Sequence, residues 1–210
     1  MYFCPPIITT LKEDIISTAT DLFLTLGFKS VTMDDIAQKM GISKKTIYTH
    51  FPTKSKLVEA TTLFLLETID SGIKKIRQKN LNAIEELFEI KKFVMNHLKD
   101  ERSSPQFQLN KYYPKVYQNV EKHHLNLMCC SISENLHKGI EGGLYRDNIP
   151  VEFISKLYFL GMTAIKGSEI FSPEEYTIKE LNDNYLEYHL RAIVTPKGFK
   201  TLKDFLTIEN

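Results

Sequence analysis

The chain has 210 residues, with 27 Lys and Arg against 26 Asp and Glu, 42% hydrophobic and 25% charged residues. These values exclude collagen-like, disordered and low-complexity classes, and a net charge of +1 excludes a uniformly basic nucleic-acid coat, so any nucleic-acid site must be a local patch. A chain this long can bury about 70% of its extended surface, enough for a core without disulfide staples. Its three cysteines, Cys4, Cys129 and Cys130, form no disulfide framework and suit a reducing compartment. No apolar run approaches the ~20 residues of a membrane helix. The opening MYFCPP has no basic region or long apolar stretch. The expected location is the cytoplasm, with no membrane partner.

The pattern is helical almost throughout, with apolar residues recurring at three and four positions and no convincing strand or repeat. Thr10-Leu-Lys-Glu13 has the form of a capping box, in which hydroxyl and carboxylate each satisfy a free backbone N–H. The helix that follows carries Ile15, Ile16, Ala19, Leu22, Phe23 and Leu26 on one stripe and stops at Gly27. A second helix begins after Thr32, with Asp34 and Asp35 in its positive first turn, carries Ile36, Ala37 and Met40, and ends at Gly41. A third is capped by Ser43, runs from Lys44 to His50 with Ile47 inward, and ends at Phe51-Pro52. A fourth begins after Thr53 and runs to about Lys79.

Longer helices are expected over 82–100, 114–138, 151–168 and 174–195, with a short one near 105–111. Ser172-Pro173-Glu174-Glu175 reads as a start signal of cap, proline and acids. Thr195-Pro196-Lys197-Gly198 ends the last long helix, and Leu202, Phe205 and Leu206 in the tail suggest one more turn.

The chemistry concentrates in residues 32–56. Two short helices are joined by Met40-Gly41-Ile42-Ser43, the form of a helix-turn-helix. The second opens with Lys44, Lys45 and Thr46, at the end that meets base edges in a major groove. From Lys39 to Lys56 there are five lysines and no acid, so positive charge is focused on one face. Thr46, Tyr48, Thr49 and His50 can donate to phosphate oxygens, Thr32 is both a cap and a candidate phosphate contact, and Lys54 opens the fourth helix, where free N–H groups bind anions. The candidate DNA contacts are therefore Thr32, Lys44, Lys45, Thr46, Tyr48, Thr49, His50 and Lys54. With no Arg, Asn or Gln in the helix, direct base readout is modest. Each also has a plainer reading: the cap alone explains Thr32, and a solvated face explains the lysines.

The ordered set Ala19 and Phe23, Gly27-Phe28, Thr32-x-x-x-Ile36-Ala37, Gly41-Ile42-Ser43, Ile47-Tyr48-x-His50-Phe51 and Lys54-x-x-Leu57 resembles the DNA-binding domain of the TetR family of bacterial repressors. The resemblance covers about 10–57; beyond it only length and helical character agree. Residues 1–9 carry no basic residue, so no arm reaching into the minor groove is expected. The resemblance implies an all-α fold, with a three-helix helix-turn-helix domain over 1–53 and a larger ligand-binding and dimerisation domain over 54–210. It implies a homodimer on a palindromic double-stranded DNA operator, released by a small-molecule effector, with the fourth helix as a lever between the two functions.

The last two long helices would form the dimer interface, through Leu157, Gly161 and Ala164 on one and Tyr185, Tyr188, His189 and Ala192 on the other. A ligand pocket would draw on Phe93, His97, Phe107, Tyr113 and Tyr117, and on His124, Met128, Phe159 and Met162, although a plain helical core would use the same residues. No cofactor or metal is expected: His123, His124, Cys129 and Cys130 lack ligand spacing, and buried helical cysteines are usually inert. No hydrolase, P-loop or dinucleotide motif is present, so no enzymatic activity is expected. An activator, or a helical small-molecule-binding module with a vestigial helix-turn-helix, remains as an alternative.

Overall fold

The structure is a computed structural model and describes residues 10–98, 105–167, 170–172 and 174–209. Helices dominate. In order they are α1 (Leu11–Leu26), α2 (Met33–Met40), α3 (Lys44–His50), α4 (Lys54–Arg77), α5 (Ala83–Leu98), α6 (Pro105–Tyr112), α7 (Pro114–Glu141), α8 (Val151–Gly167), α9 (Ile178–Ile193) and α10 (Pro196–Glu209). The nearest approach to a strand among the described residues is an isolated bridge between Tyr145 and Val194.

Local chemistry sets the N-terminal helices. The Thr10–Glu13 capping box is closed on both sides, and Thr32–Asp35 closes a second before α2. Ser43 and Thr53 each accept the first-turn amide of the helix they precede. Gly41 adopts φ 66° at the end of α2, a left-handed conformation that costs glycine little and lets the chain reverse toward α3. On α1 the buried set is Ile15, Ala19, Phe23 and Leu24, whereas Leu26 is 57% exposed. The buried stripe thus takes in Leu24 rather than Leu26 in the last turn, and α1 packs on α4.

Two apolar clusters hold the chain together. The first joins α1, α2, α3 and the start of α4 around Phe23, Ile36, Ile47 and Leu57, and it continues into Leu109 of α6 and Val116 of α7. The second joins α5, α7, α8, α9 and α10 around Ile84, Leu136, Leu186 and Leu202. Helix α4 runs from the first cluster along α5 and α7. Within the second, the buried carboxylate of Glu86 accepts from Asn135 Nδ2 at 2.9 Å and pairs with Lys138.

Two boundaries differ from expectation. Ser172-Pro173-Glu174-Glu175 does not open the long helix; Pro173 lies outside the described residues, and Glu174 and Glu175 form a turn. The helix starts at Ile178, where Thr177 and Glu180 close a capping box and Leu181 is the first residue to reach the core. The tail is a 14-residue helix rather than a single turn. Thr195 Oγ1 accepts from Gly198 N at 3.1 Å to start it, and Phe205 stacks on Phe88 at 4.6 Å.

Candidate nucleic-acid interface

Helix α3 is fixed from behind by Ile47, which is fully buried, and by Phe51. Its other side faces solvent. Lys44, Lys45, Tyr48 and Thr49 are exposed, and Thr46 and His50 are half-buried. Ser43 Oγ accepts from Thr46 N at 3.0 Å and lies 2.8 Å from Thr46 Oγ1, while Thr49 donates to the Thr46 carbonyl at 2.6 Å. Lys44 reaches back to Asp34 of α2 at 2.6 Å, and this hydrogen bond raises the lysine pKa above its ordinary value. Lys45 makes no hydrogen bond or ion pair among the described residues. It is the cation on this face most available to a phosphate.

The other two candidates behave differently. Thr32 spends its hydroxyl on Asp35, donating at 2.8 Å and accepting the Asp35 amide at 3.2 Å. The Thr32 backbone N–H holds the Asp35 carboxyl below the usual carboxylate range. Lys54 folds back, donating to the Lys29 carbonyl at 3.3 Å, with its ammonium 5.8 Å from the Phe23 ring and 5.7 Å from the Tyr113 ring. It is half-buried and braces α1 against Tyr113, the residue that precedes α7.

Behind this head lies a cavity of about 230 Å³, walled by α4, α5, α7 and α8 and reaching α1. Of the sequence-predicted pocket residues, Tyr117, His124, Met128 and Met162 line it. The others do not. Phe93 lies over Gly72, where a Cβ would sit 1.9 Å from the ring, and packs at a tilt against His97 at 4.1 Å. Tyr113 donates to the Phe28 carbonyl at 3.3 Å, and Phe159 packs behind His124 at 5.3 Å. The side chain of Phe107 lies outside the described residues. The sequence reading missed the α4 wall, where Leu65, Ile69 and Ile73 recur every fourth residue, a spacing that was available as a signal.

Residues 15–61 match the family model described as bacterial regulatory proteins, tetR family. The chain is 24% identical over 186 residues to the uncharacterised HTH-type transcriptional regulator YerO of Bacillus subtilis, covering 82% of this chain and 63% of that protein. It is 29% identical over 79 residues to IcaR of Staphylococcus aureus, described as a negative transcriptional regulator of the biofilm operon icaADBC, covering 38% of this chain and 42% of IcaR. These matches span less than two thirds of either relative. The fold matches the crystal structure of a TetR transcriptional regulator from Legionella pneumophila at a TM-score of 0.69, with 17% identity over 89% of this chain and 99% of that one. Residues 15–61 are thus similar to the TetR-type DNA-binding domain, and the chain as a whole shares the fold of a TetR regulator.

Helix α8 has two apolar faces. Leu157 and Ala164 face out, together with Phe153 at 61% and Leu160 at 62% exposure, which the sequence reading did not single out although their spacing repeats every three or four residues. On α9, Tyr188 and Ala192 are also exposed. Gly161, Tyr185 and His189 turn the other way. A Cβ at Gly161 would sit 2.1 Å from the Tyr185 hydroxyl, which donates to the Leu157 carbonyl at 3.1 Å. His189 is buried against Tyr158 at 4.7 Å. These three pack α8 on α9 inside one chain. Among the described residues no group of three or more His, Cys, Asp or Glu side chains could hold a metal ion, and no helix is long and apolar enough to cross a membrane.

Proposed function

We propose that the chain is a cytoplasmic, homodimeric repressor that binds a palindromic DNA operator and leaves it when a small molecule enters the cavity. The observation that carries this reading is α3: a short helix capped by Ser43, anchored by Ile47, and presenting Lys44, Lys45, Tyr48 and Thr49 together to solvent. Such a face meets phosphates and base edges when a helix enters a major groove. Lys45, Tyr48 and Thr49 are the foremost contacts, with Lys44 joining once phosphate displaces Asp34. Thr46 and His50 flank them, and Thr32 and Lys54 position the head.

Residues 1–53 form the DNA-binding domain and 54–210 the effector and dimer domain. Phe153, Leu157, Leu160 and Ala164 on α8, with Tyr188 and Ala192 on α9, form the dimer face. A contiguous apolar surface of this kind is rarely left in water. Repression rather than activation is favoured by the description of IcaR as a negative regulator.

The test is selection of duplexes from a random DNA pool by the purified chain at two salt concentrations. Enrichment of an inverted repeat bound in a strongly salt-dependent way is the expected result. Enrichment of no sequence, by protein confirmed free of bound small molecule, would refute the reading.

A further inference from the structure

The cavity is long and narrow. Its α4 wall runs from Thr61 to Ile73, about 18 Å at a helical rise of 1.5 Å per residue. A ligand that fills a cavity of about 230 Å³ along that length is slender rather than compact. The walls are mainly aliphatic, with Leu65, Leu66 and Ile69 facing Val94, Met95 and Leu127.

The charged groups at its edge are already matched. Lys91 pairs with Asp183 at 2.7 Å and Asp70 with Lys74 at 2.7 Å, and Glu121 accepts from the Tyr117 hydroxyl at 3.0 Å. A charged ligand would lose its hydration here without gaining an uncompensated counter-ion. On the wall formed by α8 and α9, Thr163 and Asn182 spend their donors on the Phe159 and Ile178 carbonyls, which leaves the Thr163 hydroxyl oxygen and the Asn182 amide oxygen to accept from a neutral O–H head. The opposite end abuts Leu24 of α1 and Phe28, whose ring stacks on Phe23 at 5.2 Å. Phe28 is also tethered by its backbone: its N–H donates to Gln108 at 2.9 Å and its carbonyl accepts from Tyr113.

We infer that the cavity takes one unbranched aliphatic chain with a small uncharged polar head, the head near Thr163 and Asn182 and the chain end against Leu24 and Phe28. The ligand would then touch the DNA-binding domain itself, at the residue that Gln108 of α6 and Tyr113 hold by both backbone groups. This deepens the effector reading above and rests on it for DNA release, though not for binding.

The test is calorimetric titration of the full chain with hexan-1-ol, octan-1-ol, decan-1-ol and dodecan-1-ol. Each buried methylene should tighten binding about fourfold, equivalent to about 0.8 kcal/mol, until the chain fills the cavity. Leu24→Trp blocks the α1 end, so it should weaken the longest alcohol about tenfold and leave octan-1-ol within about twofold. The chain has no tryptophan of its own, so a fluorescence change of the new indole reports chain-end occupancy. The wild-type series stands as a test if this variant does not fold.

Absence of alcohol binding, affinity independent of chain length, or an equal effect of Leu24→Trp on every alcohol would overturn the inference. Tighter binding of dodecanoate than of dodecan-1-ol would overturn the uncharged head. Dodecan-1-ol bound while the operator duplex stays bound would uphold the ligand class and refute release. Release by a flat aromatic compound without alcohol binding would refute the ligand class and leave the repressor reading standing.

Discussion

Acidification should destabilise this protein through one residue, His189. Its ring packs edge-on against Tyr158, and its Nε2 is buried without a hydrogen-bond partner. Burial lowers its pKa from 6.5 to about 4. The folded chain therefore holds the imidazole neutral between those values, while the unfolded chain takes up a proton near 6.5. The unfolded state binds more protons in that window, so stability is full above it and falls as pH drops toward 4. The whole shift corresponds to about 3 kcal/mol, of which about 2 kcal/mol is lost between about pH 7 and about pH 5. For a chain of this size that lowers the melting temperature by about 4–8 °C. Urea unfolding of the wild type and His189→Leu at both pH values, at one protein concentration, checks this. The leucine removes both the titration and the orphaned nitrogen, so the variant should be at least as stable at neutral pH and should lose about 2 kcal/mol less on acidification. An identical pH response in the two proteins would refute the argument from burial.

Lys45→Ala should reduce the slope of log affinity against log salt by about 0.9 on the selected operator, the loss of one phosphate contact. Lys54→Ala should change it less, because that ammonium is turned toward Phe23 and Tyr113; equal effects would refute the assigned difference. Leu160→Glu places a charge in the middle of the exposed α8 face and should yield a folded monomer in sedimentation; an unchanged dimer would move the interface elsewhere. Thr32→Ala removes the α2 cap and should cost about 1 kcal/mol in denaturant unfolding, and no loss would mean that solvent replaces the cap.

What could be read from the sequence was what neighbouring residues decide. The caps at Thr10, Thr32 and Ser43, the reversal at Gly41 and the inward Ile47 each depend on residues within one turn, and together they build the helix-turn-helix. Competition between equivalent local signals could not be read. Ser172 with its acids and Thr177 with Glu180 are both acceptable starts; the second prevails where Leu181 reaches the core. The tail helix was underestimated because its stability comes from the stacking of Phe205 on Phe88, 117 positions earlier in the chain.

The cavity and the dimer face were the hardest to read, for one shared reason. Helix α8 is apolar nearly all round, and periodicity reveals that it is covered but not by what. Gly161 decides the matter: only without a Cβ can the Tyr185 ring lie against α8, and this contact turns Tyr158 and Met162 toward the cavity. Leu157 and Leu160 are thereby left outside, within one turn of those two residues. A ligand that moved Tyr158 or Met162 would therefore act on the same helix that presents the apolar outer face, and at its other end it would rest on Phe28. Both consequences follow from the placement of one cavity between α1 and α8, which no single stretch of sequence encodes.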